Sequence, residues 1–265
     1  MRRLTATFDA LKARGQRAFI PFIMAGDPDA AACEGLLHAL PGAGADIIEL
    51  GFPFTDPMAD GPVIAEAGQR ALRAGQTLRG TLAMASRFRE AGHGTPLVLM
   101  GYANPVLQYG ESFAADAVAA GVDGLILVDL PPEESGPMDD MAEAAGLAMI
   151  RLATPTSDAA RLPKVLARAA GFVYYVAVAG VTGGRSAQAA DLEAAIARLR
   201  AQTSLPIAAG FGIKDAASAT AAARVADAVV VGSAIVKAHE LGGTDAALDL
   251  ARAMARGVHQ VESAQ

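Results

Sequence analysis

The stretch Asp46-Ile47-Ile48-Glu49-Leu50 is an apolar run with a carboxylate set inside it. Seven further runs share its apolar character: Phe19–Met24, Leu97–Gly101, Gly124–Asp129, Leu147–Leu152, Phe172–Val176, Pro206–Gly210 and Asp227–Gly232. They are near-continuous rather than alternating, which is how strands buried on both faces read. Helical stretches separate them: Ala31–Leu40, Thr77–Ala91, Ser112–Ala120, Glu133–Ala145, Asp158–Ala169, Ala187–Ala201 and Asp215–Arg224, followed by a tail from Ser233 to Val261. Strands alternating with helices imply a parallel sheet. Eight such units with no Pro/Ser linker between them imply α/β architecture, a single (β/α)8 TIM barrel spanning residues 1–265. The amphipathic segment Thr5–Arg14 is expected to be an extra N-terminal helix that caps the fold. A doubly wound open sheet is the alternative. It usually carries a Gly-rich nucleotide turn after its first strand, and Met24-Ala25-Gly26-Asp27-Pro28 contains no G-x-G-x-x-G.

Composition agrees. A chain of 265 residues fits one barrel of about 250 residues, or two smaller domains, and the unbroken series favours the barrel. Apolar residues make up 52% and charged residues 19%, which suits a large core and not disorder. Ala accounts for 62 residues, the pattern of small-residue helices packed closely on something. Cys33 stands alone, which rules out a disulfide scaffold and a multi-cysteine zinc site and fits a reducing cytoplasm. The net charge of −6 argues against nucleic acid as a partner. Met1–Gly15 has no apolar core of a signal peptide, and no run is long enough to span a membrane.

A barrel keeps its chemistry at the carboxyl ends of its strands. Glu49 lies in the second strand, where burial would raise its pKa and make it a proton carrier near neutrality; pairing with an Arg or with backbone amides is the alternative. The loop after it, Phe52-Pro53-Phe54-Thr55-Asp56-Pro57-Met58-Ala59-Asp60-Gly61-Pro62, holds two aspartates four apart. These could bind a metal, cap a helix starting at Pro62, or act in catalysis. Gly-bearing turns follow the last two strands, Gly210-Phe211-Gly212 and Gly232-Ser233, each leading into a helix. Exposed amides at such helix starts suit a phosphate group. A third segment, Ala179-Gly180-Val181-Thr182-Gly183-Gly184, could form a mobile lid. None of the four lysines lies in a strand, the four histidines have no ligand spacing, and no serine-hydrolase motif occurs. What remains is a carboxylate acid/base enzyme acting on a phosphorylated small molecule.

The run from Ile48 to Pro62 resembles the signature of the α subunit of tryptophan synthase. Pro21–Pro28, Met100-Gly101-Tyr102-Ala103-Asn104-Pro105, Asp129–Glu134, Tyr174–Gly183, Gly210–Ile213 and Gly232–Lys237 extend the resemblance over roughly residues 1–260. It implies retro-aldol cleavage of indole-3-glycerol phosphate to indole and glyceraldehyde 3-phosphate. Glu49 matches the family's general acid/base and Asp60 the aspartate that holds the indole N–H. Gly183, Gly212, Gly232 and Ser233 match the phosphate contacts. Phe22, Met100, Tyr102, Tyr174 and Phe211 match the indole pocket. Of the adjacent Tyr174 and Tyr175 only one can face inward from a strand, and Tyr174 is chosen. Thr182 matches the residue that meets the aspartate on loop closure. Asp56, Asn104, Pro105, Pro131 and Pro132 match the surface that contacts a β subunit in an αββα complex. Pyridoxal phosphate belongs to that β partner, and none is expected on this chain. Phe52 and Thr55 depart from the commonest family forms. A stand-alone indole-releasing lyase and a silent phosphate-binding activator are the competing readings.

Overall fold

A computed structural model describes residues 2–158, 160–176, 185–210 and 212–261, giving backbone alone for 185–189. In chain order the strands are β1 (Ala18–Met24), β2 (Ile48–Gly51), β3 (Leu97–Gly101), β4 (Gly124–Leu127), β5 (Ala148–Met149), β6 (Arg151–Ala153), β7 (Val173–Val176), β8 (Ile207–Gly210) and β9 (Ala228–Val231). The helices are α1 (Arg2–Ala13), α2 (Ala30–Ala39), α3 (Pro62–Arg73), α4 (Leu78–Glu90), α5 (Ala103–Tyr109), α6 (Phe113–Ala119), α7 (Gly136–Ala145), α8 (Leu162–Leu166), α9 (Arg185–Arg200), α10 (Ala216–Ala223) and α11 (Ser233–His259).

The sheet runs β5-β4-β3-β2-β1-β9-β8-β7-β6 with parallel neighbours throughout. Its two ends, β5 and β6, are halves of one apolar run separated by Ile150, so the chain itself closes the circle and the fold is the expected barrel. The eight expected strands thus become nine segments. Ile150 still donates its N–H to Leu125 O at 3.0 Å, while Arg151 turns to register with β7.

Continuous apolar runs follow from burial on both faces. Ile20, Ile47, Val98, Ile126, Ile150, Phe172 and Val230 fill the barrel interior. Their neighbours Phe19, Ile48, Leu50, Leu97, Leu99 and Leu125 pack outward against the helices. From the interior's amino end, Leu4, Phe8 and Leu11 of α1 close the bottom, with the Phe8 and Phe172 rings 5.9 Å apart. Burying each of those side chains contributes about 1.5–3 kcal/mol.

A polar staple holds that closed end. Arg89 donates to the carbonyls of Gly121, His93 and Thr95 at 2.7–2.9 Å and to Asp123 at 2.9 Å. Asp123 is 3% exposed and also accepts the Leu97 N–H, and Arg3 of α1 lies 3.2 Å away. Removing one member of a buried pair strands the other charge. Arg89→Met is therefore expected to lower stability by about 3 kcal/mol, the low end for buried pairs because Asp123 keeps Arg3 and the Leu97 amide. A urea unfolding curve checks this, and a loss under about 0.5 kcal/mol, the range of an ordinary surface substitution, would refute it.

Candidate active site

The site begins with the pleat of β2. Ile47 points into the barrel and Ile48 out, so Glu49 points in. In register, Glu49 lies beside Phe22 of β1 and Val98 of β3. Its carboxyl is 0% exposed, and neither oxygen has a hydrogen-bond partner among the described residues. The alternative of a Glu paired with Arg or backbone amides is overturned. Burial alone pushes the carboxyl up to about 8, so it carries its proton at neutral pH.

Tyr174 faces the same interior from β7, while Tyr175 packs outward with Leu162, Ile196 and Leu199. Burial raises the Tyr174 hydroxyl well above its ordinary pKa, and the nearby Glu49 adds to that shift. The ring lies across Gly210: a Cβ there would meet the Tyr174 hydroxyl at 2.4 Å, so the end of β8 has to be glycine. Phe22 lies over Gly51 in the same way and packs with Met24, Ala67, Ala71, Val236 and Met100. Phe52 fits because Gly101 leaves room beneath its ring.

Asp60 sits where the second loop meets α3. It does not cap that helix: the N-cap is Gly61, which has no side-chain bond. Its carboxyl is half-buried, and burial raises it to about 6 against the lowering effect of a hydrogen bond from the Tyr102 hydroxyl. The same hydroxyl accepts the Ala59 N–H at 3.0 Å. Tyr102 is 2% exposed, stacks near Phe54 at 5.2 Å between centroids, and is held at the start of α5, where the Ala103 N–H bonds to Asp129 at 2.8 Å. Tyr102 thus fastens the Asp60 loop to the third strand's end. Phe54 and Asp129 carry parts of this arrangement that the sequence did not single out as site residues. A loop aromatic and a strand-end carboxylate were the available signals, and neither names its contact.

Glu49, Phe22, Met100 and Tyr174 are brought together inside the barrel, and Asp60 is joined to Tyr102 at its rim. Gly232 is the N-cap of α11, with no side-chain cap. Its carbonyl accepts the Ile235 and Val236 N–H groups, leaving the first-turn amides of Ser233 and Ala234 without partners within the helix. Gly212 adopts φ +70°, and a Cβ there would have nothing within 4 Å. A Cβ at Gly232 would lie 3.7 Å from Phe22, so this helix start adjoins the interior residues. Thr182, Gly183 and Phe211 lie outside the described residues. Asp56, Asn104 and Pro131 are exposed and Pro105 and Pro132 half-buried; Asn104 and Pro105 lie in the first turn of α5 and the others on loops at the carboxyl end. Met58 (80% exposed), on the second loop, and Leu107 (63%), on α5, were not singled out in the sequence.

A parallel barrel with a buried glutamate at the carboxyl end of its second strand, unpartnered among the described residues, defines the (β/α)8 class with a candidate acid/base site. The family model for the tryptophan synthase alpha chain matches residues 8–264. The tryptophan synthase alpha chain of Caulobacter sp. (strain K31) is 61% identical over 235 residues, 88% of this chain and 86% of that protein. The alpha chain of Caulobacter vibrioides (strain NA1000 / CB15N) is 59% identical over the same shares. Among solved structures, the tryptophan synthase subunit alpha of Legionella pneumophila str. Paris superposes with a TM-score of 0.90 at 40% identity, covering 97% of this chain and 98% of that one. Mycobacterium tuberculosis tryptophan synthase gives 0.89 at 39% identity, covering 97% and 98%. The chain belongs to the tryptophan synthase alpha chain family.

Proposed function

We propose that this chain cleaves indole-3-glycerol phosphate to indole and glyceraldehyde 3-phosphate, as a single barrel domain working in an αββα complex in tryptophan biosynthesis. The observation that carries the reading is Glu49, a carboxyl buried beside apolar walls, unpartnered among the described residues and pushed by burial toward its protonated form. It protonates indole C3. The ring nitrogen then bears positive charge, which the Asp60 carboxylate holds through the N–H. The ionised Glu49 takes the proton of the 3′-hydroxyl, that oxygen forms the aldehyde carbonyl, the C–C bond breaks, and its electron pair returns to the ring. Two carboxyls with pKa values pushed apart, about 8 and about 6, suit divided duties near neutrality.

Phe22, Met100, Tyr102 and Tyr174 wall the indole, with Phe211 assigned to the same pocket. The amides at Ser233, with Gly212 and Gly232, hold the phosphate at the start of α11; Gly183 is assigned to the same phosphate, and Thr182 to meeting the aspartate on loop closure. The chemistry needs no cofactor on this chain; pyridoxal phosphate belongs to the β subunit that receives the indole. Asp56, Asn104, Pro105, Pro131 and Pro132 meet that subunit, joined by the apolar Met58 and Leu107. The working compartment is the cytoplasm. Among the described residues no helix is long and apolar enough to cross a membrane.

The test is an indole-release assay on indole-3-glycerol phosphate, with and without a β subunit, paired with size-exclusion chromatography of the mixture. Indole release with co-elution supports the reading. Absence of indole release under both conditions refutes the activity, and full activity without co-elution refutes the complex.

A further inference from the structure

Outside the barrel mouth, Arg70 joins three elements. Its Nε and Nη2 donate to the two oxygens of Asp27, at 2.7 and 3.0 Å, in a bidentate pair. Its Nη1 donates to Glu240 at 2.8 Å. Asp27 follows β1 and is 3% exposed, a carboxylate few chains bury without a partner. Arg70 lies on α3, which starts two residues after Asp60. Glu240 lies two turns into α11, which starts at Ser233. Between them Ala67, Ala71 and Val236 pack on Phe22 and Met24, so α3, α11 and the end of β1 share one apolar contact. Apolar packing is non-directional and leaves helices free to slide. A bidentate guanidinium with a third bond fixes both direction and distance.

We propose that Arg70 is a positioning residue: it locks α3 to α11 so that Asp60 and the phosphate anchor at Ser233 keep one separation during cleavage. The inference rests on the reading that those two residues serve the reaction. A substrate held at its phosphate by α11 presents its indole N–H to Asp60 only if the two helix starts stay in register. Misplacement by about 1 Å can cost on the order of 100-fold in rate. Each helix start alone still binds its own part of the ligand. The cost therefore falls on kcat, and binding of a fragment that touches only α11 is preserved.

The test uses the chain with its β subunit. Arg70→Gln is expected to lower kcat for indole-3-glycerol phosphate by about 10–100-fold, with affinity for glycerol 3-phosphate, measured by calorimetry, within about threefold of wild type. Arg70→Lys, which keeps the charge but not the fork, recovers only part of the loss. Glu240→Gln takes the charge from just the outer bond and so weakens it, at a side chain 36% exposed. It keeps the protein folded even if Arg70→Gln does not, and a kcat loss of about threefold or more is expected from it. Unchanged kcat in a folded Arg70→Gln protein, or in Glu240→Gln where the former does not fold, overturns the proposal. So does an equal loss of kcat and glycerol 3-phosphate affinity. Asp60→Asn run alongside separates the failures: if it is fully active the site reading falls with the proposal, and if it is inactive while Arg70→Gln is normal only the proposal falls.

Discussion

Glu49→Gln is expected to lower indole release by about 1,000-fold, within the range that a positioned general acid/base supplies. Gln keeps the size of the side chain and cannot give or take the proton. Binding of glycerol 3-phosphate, a probe for the amides at the start of α11, should stay close to wild type. The same substitution has a second consequence, in stability. The folded chain keeps the Glu49 proton until about pH 8, whereas the unfolded chain loses it near 4.5. Between those values the unfolded state binds fewer protons, so wild-type stability falls as pH rises, by about 1.4 kcal/mol per unit and at most about 5 kcal/mol in all. Glu49→Gln removes that contribution to the slope. Urea unfolding at pH 5 and pH 8.5 should therefore show the variant gaining on the wild type as pH rises. Parallel stability profiles, or wild-type turnover in the variant, would show that Glu49 is neither protonated by burial nor the acid.

Glu49 was legible in the sequence because a carboxylate stood in a run where every neighbour was apolar. The strands were legible for a related reason: burial on both faces leaves no polar alternation to confuse with a helix. Elements with mixed signals were harder. α5 has Pro105 at its third position and reads as a loop, yet in a first turn proline gives up an N–H that has no intrahelical partner. The fifth run reads as one strand, and its split at Ile150 arises only because its halves register with different neighbours. The tail after Ser233 reads as one helix, and Gly243, at φ +71° and ψ −169°, bends it. Contacts made across the chain left no trace at all. Tyr102 meets Ala59 43 residues away, and Arg70 meets Glu240 170 residues away. Periodicity reports which face a residue occupies, and it carries nothing about what waits on the other side.

The pH dependence of kcat/KM is the sharper examination of how the two carboxyls divide their work. In the proposed mechanism Asp60 has to be ionised to hold a positive ring and Glu49 has to be protonated to create it. With Asp60 raised to about 6 and Glu49 to about 8, the profile should be a bell with its limbs near those values and its top near neutrality. The assignment of limbs follows from the roles: activity rises as Asp60 loses its proton and falls as Glu49 loses its own. Asp60→Asn should lower kcat/KM by about 100–1,000-fold, the cost of removing one preorganised charge-stabilising group. It should also erase the acidic limb while leaving the alkaline one near 8. Tyr102→Phe gives the complementary result. The hydroxyl stabilises the ionised Asp60 and lowers its pKa, so removing it should move the acidic limb upward and leave the alkaline limb in place. An acidic limb that survives in Asp60→Asn would assign that titration to another group. An alkaline limb that disappears with Asp60 instead of with Glu49 would reverse the roles, making the rim aspartate the acid and the buried glutamate a bystander.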